Sequence, residues 1–281
     1  MRSGFVAVVG RPNVGKSTLV NRLVATKVAI TSSRPGTTRQ RVRGVLNRSG
    51  VQAVLVDTPG LHKPRTELGK RLSDEVDRAL EDVDVAVAVL DATQPIGAGD
   101  RMVLGRAHDA ATVFVAVNKI DRAARAEVAS HLAEADALVD AAELFPVSAR
   151  TGSGVDALAD AICRALPEGP AWYPEGMISD IPDELYLAEL VREKLLRRVD
   201  DELPHSIACR VTEWEWPRLR VEVVVERDSQ KGIVIGRGGE LLEEVRAAVV
   251  PELPEGAHLE LHVTVEKNWQ RRPDMLDRLG Y

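Results

Sequence analysis

Residues 5–17, Phe5-Val-Ala-Val-Val-Gly10-Arg-Pro-Asn-Val-Gly15-Lys16-Ser17, decide the fold. An apolar strand, Phe5–Val9, runs into a segment that fits G-x-x-x-x-G-K-S/T, and Lys16–Ala25 continues as a helix. The glycines let successive backbone N–H groups turn inward and wrap phosphates, while the following helix points its positive end at them. Common residue frequencies give this pattern by chance in on the order of one chain in a hundred. Its place between strand and helix strengthens it further. Alone it says that a nucleoside triphosphate is held by Gly10, Arg11, Pro12, Asn13, Val14, Gly15, Lys16, Ser17 and Thr18. Lys16 would reach the terminal phosphates, and the Ser17 hydroxyl would ligate Mg²⁺.

Outward from this loop, short apolar runs alternate with amphipathic stretches. The runs Val51–Val56, Val83–Leu90, Thr112–Val117 and Leu144–Val147 read as buried parallel strands. Glu67–Leu80, Arg122–Val139 and Val155–Ala165 read as helices. The order implies an α/β fold, a doubly wound and mostly parallel sheet with helices on both faces. Val42–Asn47 and Val51–Val56 flank Arg48-Ser49-Gly50 as a hairpin, which adds one antiparallel edge strand.

Strand ends carry the next motifs. Asp57-Thr58-Pro59-Gly60 follows Val51–Val56, where the carboxylate can hold the Mg²⁺ shell and the Gly60 N–H can bind the terminal phosphate. Asn118-Lys119-Ile120-Asp121 follows Thr112–Val117. A carboxylate only accepts hydrogen bonds, and guanine offers two donors, N1–H and the 2-amino group, on one edge. Adenine offers an acceptor there, so a buried carboxylate would be left unpaired. The Lys119 stem can cover the base, and Ser148-Ala149 is placed to present a backbone N–H to guanine O6.

These four elements in this order resemble the signature of the translation-factor-related GTPases over about the first 166 residues. The resemblance implies that Asn118 braces the phosphate loop and Ala149 meets the base. Many such proteins orient the attacking water with a glutamine after D-x-x-G. Here Leu61 stands there, so the intrinsic hydrolysis rate is expected to be low, roughly 10⁻⁴ to 10⁻² s⁻¹. Thr31–Arg39 resembles the first switch loop; Thr38 is the expected Mg²⁺ ligand from it, with Thr37 the alternative. An asparagine at the position of Asn13 holds K⁺ against the phosphates in related GTPases, which implies K⁺-stimulated hydrolysis; the plainer reading is that Asn13 stabilises a turn.

Pro167, Pro170, Pro174, Gly176 and Pro182 mark a break. The expected organisation is a nucleotide domain at 1–167, a linker at 168–182 and a second domain at 183–281. After the break come a helix (Asp183–Val199), strands Ser206–Thr212 and Leu219–Arg227, a helical pair (Ser229–Val249) and a strand, His258–Glu266. Gly236-Arg237-Gly238-Gly239 joins the paired helices. This α-β-β-α-α-β order around G-x-x-G resembles a type II KH domain, in which such a loop lets the RNA backbone approach beside an apolar groove. Lys231, Ile235, Gly236, Arg237, Gly238 and Gly239 are the expected RNA contacts, with Arg220, Arg246 and Lys267 as further cations. Charge argues the other way, since residues 181–281 hold 15 Lys and Arg against 21 Asp and Glu. Trp214 and Trp216 share one face of a strand and are expected to pack on Asp183–Val199 rather than stack on bases.

The chain of 281 residues, 44% hydrophobic and 28% charged, has the balance of an ordinary globular protein. No apolar run approaches the roughly 18 residues of a membrane span, and with the first strand starting so near Met1 no secretory leader is expected. Cys163 and Cys209 match no metal or redox spacing and read as small core residues of a reducing cytosol. His258 and His262 lie about 13 Å apart on a strand, too far to share a zinc ion.

Nucleotide domain and KH-like domain together, with Glu202-Leu-Pro-His-Ser-Ile207, Val265-Glu-Lys-Asn-Trp269 and Leu279-Gly-Tyr281, resemble the Era family of bacterial ribosome-assembly GTPases. The resemblance implies GTP and GDP as ligands, and binding near the 3′ end of small-subunit ribosomal RNA on the maturing 30S subunit. It implies a monomer in the cytoplasm, with loose association at the inner membrane surface. The other readings are a GTPase serving RNA modification or membrane-associated signalling, and a passive RNA-binding module with a merely structural nucleotide site.

Overall fold

The computed structural model describes all residues except 62, 63, 82, 109, 140–142 and 200–202. The chain divides into two compact units. The first comprises Met1–Thr31, Thr38–Pro64 and Arg71–Asp180; the second comprises Ser32–Thr37, Arg65–Lys70 and Ile181–Tyr281.

In the first unit, β1 (Arg2–Gly10), β2 (Val42–Arg48), β3 (Val51–Asp57), β4 (Val85–Asp91), β5 (Val113–Asn118) and β6 (Glu143–Pro146) form one sheet in the order β2-β3-β1-β4-β5-β6. Every pairing is parallel except β2 with β3, the expected hairpin edge. Helices α1 (Lys16–Val24), α2 (Glu67–Glu81) from Arg71 onward, α3 (Ala98–Ala107), α4 (Arg125–Asp136) and α5 (Val155–Ala165) complete the unit. Val6–Val9 and Val85–Leu90 are fully buried because a parallel strand covered on both faces has no solvent side.

Two elements depart from the sequence reading. Helix α3 has no counterpart in it, because Gly99 and Gly105 weaken its signal; each interior glycine costs about 1 kcal/mol against alanine. Burial of Val103, Leu104 and Ala107 rescues it, and the Gly97 N–H donates to Asp100 Oδ2 (2.9 Å) at its start. Helix α4 begins three residues later than expected. Lys119 is left-handed (φ 68°), a 3₁₀ turn follows at Ile120–Arg122, and Ala124 is extended.

The proline-rich stretch packs on the first unit as a strap. Arg2 bridges Glu168, and Gly44 bridges Ser179. The Gln52 amide accepts from the Trp172 and Tyr173 N–H groups (2.8 and 2.9 Å) and donates to the Tyr173 carbonyl (3.0 Å). A strap bonded to β2 shields an otherwise open strand edge.

In the second unit, α6 (Asp183–Leu196), the short α7 (Leu203–Ser206), β7 (Ala208–Glu215), β8 (Arg218–Val225), α8 (Asp228–Ile235), α9 (Glu240–Val249), β9 (His258–Val265) and α10 (Pro273–Arg278) follow in order. The sheet runs β7-β8-β9, with β7 antiparallel and β9 parallel to β8. Its core joins Leu187, Leu190, Val191, Val221, Val223, Val245 and Val263. Trp269 is fully buried and donates through Nε1 to the Ser206 carbonyl (2.9 Å), with Tyr281 stacked 5.9 Å away. Cys163 and Cys209 are buried free thiols.

The expectation for Trp214 and Trp216 is overturned: they are 41% and 57% exposed. Trp214 lies opposite Leu219, on the core side of the sheet, yet near the far end of β7; Trp216 lies past the end of the strand.

Candidate nucleotide site and glycine loop

Gly10, Asp57, Asp91 and Asn118 all sit at the carboxyl ends of parallel strands, and Ser148 lies just beyond β6. The strand order turns back at β1, between β3 and β4, and a doubly wound sheet opens its crevice at such a point.

The phosphate loop starts there. Asn13 and Gly15 are left-handed (φ 65° and 99°), which curls the chain before α1. A Cβ on Gly15 would stand 2.4 Å from Asn118 Nδ2, so the position needs glycine for space as well as for φ. Lys16 Nζ donates to the Gly10 and Arg11 carbonyls (3.1 and 2.9 Å) and closes the loop. Burial pulls this ammonium down to about 8, against the attraction of Asp57. Arg11 points to α3 instead, its Nε on Asp100 Oδ1 at 2.8 Å.

On the metal side, Ser17 Oγ donates to Asp57 Oδ2 (2.6 Å) and lies 2.9 Å from Thr38 Oγ1, which is 3.3 Å from the same carboxylate oxygen. Thr37 Oγ1 instead donates to the Arg34 carbonyl (2.7 Å). Of the two threonines, Thr38 is the one brought to Ser17 and Asp57. Asp57 is fully buried, and its Oδ1 has no hydrogen-bond partner among the described residues. Burial pushes its carboxyl up to about 6, opposed by Ser17, Lys16 and Thr38. Two hydroxyls around a carboxylate with one unused oxygen fit a hard divalent cation with oxygen ligands. Thr58 Oγ1 donates to the Val8 carbonyl (2.8 Å), and Gly60 packs against Pro12. The Leu61 N–H donates to the Gly10 carbonyl (3.1 Å) while its side chain is buried in the core.

On the base side, Asn118 Nδ2 donates to the Val14 carbonyl (2.8 Å) and its Oδ1 accepts the Ala149 N–H (2.9 Å). The N–H assigned to guanine O6 is therefore engaged by Asn118. The Ile120 N–H donates to the Val147 carbonyl (3.3 Å). The Asp121 residue is open to solvent as a whole, but its carboxylate side chain is only 12% exposed. Ser148 Oγ donates to its Oδ1 (2.7 Å), and Arg150 pairs with its Oδ2 at 2.5 Å. The Ser148 bond, with the Arg150 charge behind it, holds this carboxyl below the usual range. Lys119 Nζ donates to the Asn13 carbonyl and to Asp91 Oδ2, both at 2.6 Å. Sequence reasoning missed Asp91, Asp100 and Arg150. The one available signal was a carboxylate closing an all-apolar strand in Val89-Leu90-Asp91.

In the second unit, α8 and α9 meet at Gly236–Gly239. Gly236 is left-handed (φ 76°), and a Cβ there would stand 2.8 Å from the Leu241 amide nitrogen. Arg237 is exposed and Lys231 half-buried, and neither forms an ion pair with a described residue. Two further candidate cations are engaged, Arg220 by Glu213 and Glu260, and Arg246 by Glu243. Ile235 packs inward against the core, so the apolar group presented beside the loop is Ile233, 58% exposed.

The two units thus define the class: a P-loop GTPase carrying a KH domain. Residues 5–119 match the 50S ribosome-binding GTPase family, and residues 202–270 match the KH domain family. GTPase Era of Mycobacterium avium is 49% identical over 295 residues, covering 100% of this chain and 99% of the relative. GTPase Era of Mycobacterium tuberculosis strain H37Rv is 48% identical over 296 residues, covering 99% and 98%. The solved structure of Aquifex aeolicus Era bound to GDP·AlF4⁻ matches with a TM-score of 0.94 and 36% identity, over 100% of this chain and 99% of that one. A second Era structure, in complex with MgGDPNP and nucleotides 1506–1542 of 16S ribosomal RNA, matches with a TM-score of 0.93 and 36% identity over the same shares. The chain belongs to the Era family of GTPases.

Proposed function

We propose that this GTPase is a magnesium-dependent switch that binds small-subunit ribosomal RNA near its 3′ end and acts in assembly of the 30S subunit. The observation that carries the switch is the meeting of Thr38, from the loop at 31–39, with Ser17 and Asp57. Those three would hold Mg²⁺, which would neutralise charge on the β- and γ-phosphates of GTP. Lys16 supplies a positive charge at the terminal phosphates from a position already fixed by two carbonyls. Leu61, buried and aliphatic, orients no water, which supports slow intrinsic turnover. Asn118, Lys119, Asp121 and Ser148 hold guanine, with Ala149 beside them.

Asn13, left-handed at the mouth of the phosphate loop, supports K⁺ as the further activator. Hydrolysis is expected to be several-fold faster in K⁺ than in Na⁺ at matched ionic strength, and equal rates would sink this part.

Lys231, Ile235, Gly236, Arg237, Gly238 and Gly239 are the proposed RNA loop, to which Ile233 is added. Lys231 and Arg237 form no ion pair among the described residues, which supports phosphate contact despite the acidic balance of the domain. The test is binding of a short RNA copying the 3′ end of small-subunit ribosomal RNA, with GTP analogue, with GDP and without nucleotide. Binding should be tightest with the analogue and at least about tenfold weaker in Arg237→Glu, the cost of one or two charge-assisted contacts. Equal weak binding in every state would remove the second domain from the reading. The same resemblance extends the proposal to a monomer in the cytoplasm with loose contact at the inner membrane surface. Among the described residues no helix is long and apolar enough to cross a membrane.

A further inference from the structure

We propose that Asp91, which lies outside the four GTPase motifs, is a positioning residue for guanine-nucleotide retention, acting through Lys119. It closes β4 with a nearly buried carboxylate. Its Oδ1 accepts the Thr93 N–H (3.0 Å) and Thr93 Oγ1–H (2.7 Å), which fixes the plane of the group. Its Oδ2 receives Lys119 Nζ at 2.6 Å, and the same ammonium donates to the Asn13 carbonyl at 2.6 Å. The Lys119 stem is therefore held at both ends, by a backbone in the base loop and by an ammonium clamped between strand end and phosphate loop.

Two costs make this clamp necessary. A lysine side chain gives up rotamer entropy when fixed, and the left-handed backbone of Lys119 adds to the cost. A charge-assisted hydrogen bond of this length offsets both. A flat purine needs a stem that is already in place, because ordering it on binding would subtract from affinity. The Ala92 N–H donates to the Asn118 carbonyl (2.9 Å), so the two strand ends are also tied through the backbone. The side-chain clamp can thus be cut without separating the strands.

Asp91→Asn keeps the shape and an oxygen for Thr93 but removes the charge facing Lys119. GDP release, followed with a fluorescent GDP on the full chain, is expected to accelerate about 10- to 100-fold, the range for losing a hydrogen bond to a charged group. Preference for GDP over inosine diphosphate should stay unchanged, because the 2-amino group is read by Asp121. The decisive arm is the Lys119→Met background, which keeps an apolar stem without the ammonium. There Asp91→Asn should add nothing. An equal acceleration in both backgrounds, or unchanged release in the single variant, would overturn the proposal. Should Asp91→Asn fail to fold, Thr93→Val loosens the carboxylate and leaves its charge. It should then speed release a few-fold in the parent chain and not at all with Met at 119, and the converse result counts against the role.

Discussion

Asp121→Asn is expected to abolish the preference for guanine nucleotides, lowering GDP affinity relative to xanthosine diphosphate by about 10⁴-fold. The carboxylate offers two acceptors to two guanine donors. An amide offers one acceptor and one donor, which leaves a guanine N–H facing an N–H and instead suits the 2-oxo group of xanthine. With its side chain only 12% exposed, Asp121 discriminates by its hydrogen-bond pattern, because an acceptor so covered is costly to leave unpaired. Ser148 and Arg150 supply that pattern by fixing each carboxylate oxygen. Competition of the two diphosphates against a fluorescent nucleotide reads the effect directly. A variant that still prefers GDP would show that the base is read elsewhere.

Lys16→Ala is expected to slow GTP hydrolysis about 10²- to 10³-fold, the usual loss when one preorganised donor to the transferring group is removed. The same variant should lose little thermal stability without nucleotide. Burial already drags the Lys16 ammonium down to about 8, so alanine relieves a desolvation cost that offsets the loss of the cation beside the buried Asp57 carboxylate. What alanine takes away is the donor to the Gly10 and Arg11 carbonyls. Single-turnover hydrolysis set beside a thermal melt separates the two effects. Loss of fold together with activity would make Lys16 a structural residue first.

The fold of the first unit was legible because its signals are local. Continuous valine and alanine runs mark buried strands, and the Arg48-Ser49-Gly50 turn marks the edge hairpin. Helix α3 escaped notice because two glycines dilute its pattern, and its stability comes from burial of Val103 and Leu104 against the sheet. In the second unit the element order was readable, but the exposure of Trp214 and Trp216 was not. Two-residue spacing sets a shared face only within a strand, and Trp216 lies past the end of β7 while Trp214 sits near that end. Ile233 and Ile235 both precede the glycine loop in sequence, and only packing shows that Ile235 turns toward the core while Ile233 is exposed.

By itself the sequence determined the nucleotide, the phosphate loop, the strand ends that carry the motifs and the presence of a glycine loop in a second domain. Each of these is written in contiguous residues whose backbone geometry follows from their own chemistry. Tertiary structure alone decided that Thr38 and not Thr37 meets Asp57, that Arg11 turns away to Asp100, that the linker is a strap on β2, and that Asp91 clamps Lys119. Those pairings join residues far apart in the chain. Strand register and helix packing bring them within hydrogen-bonding distance, and no local spacing encodes that distance.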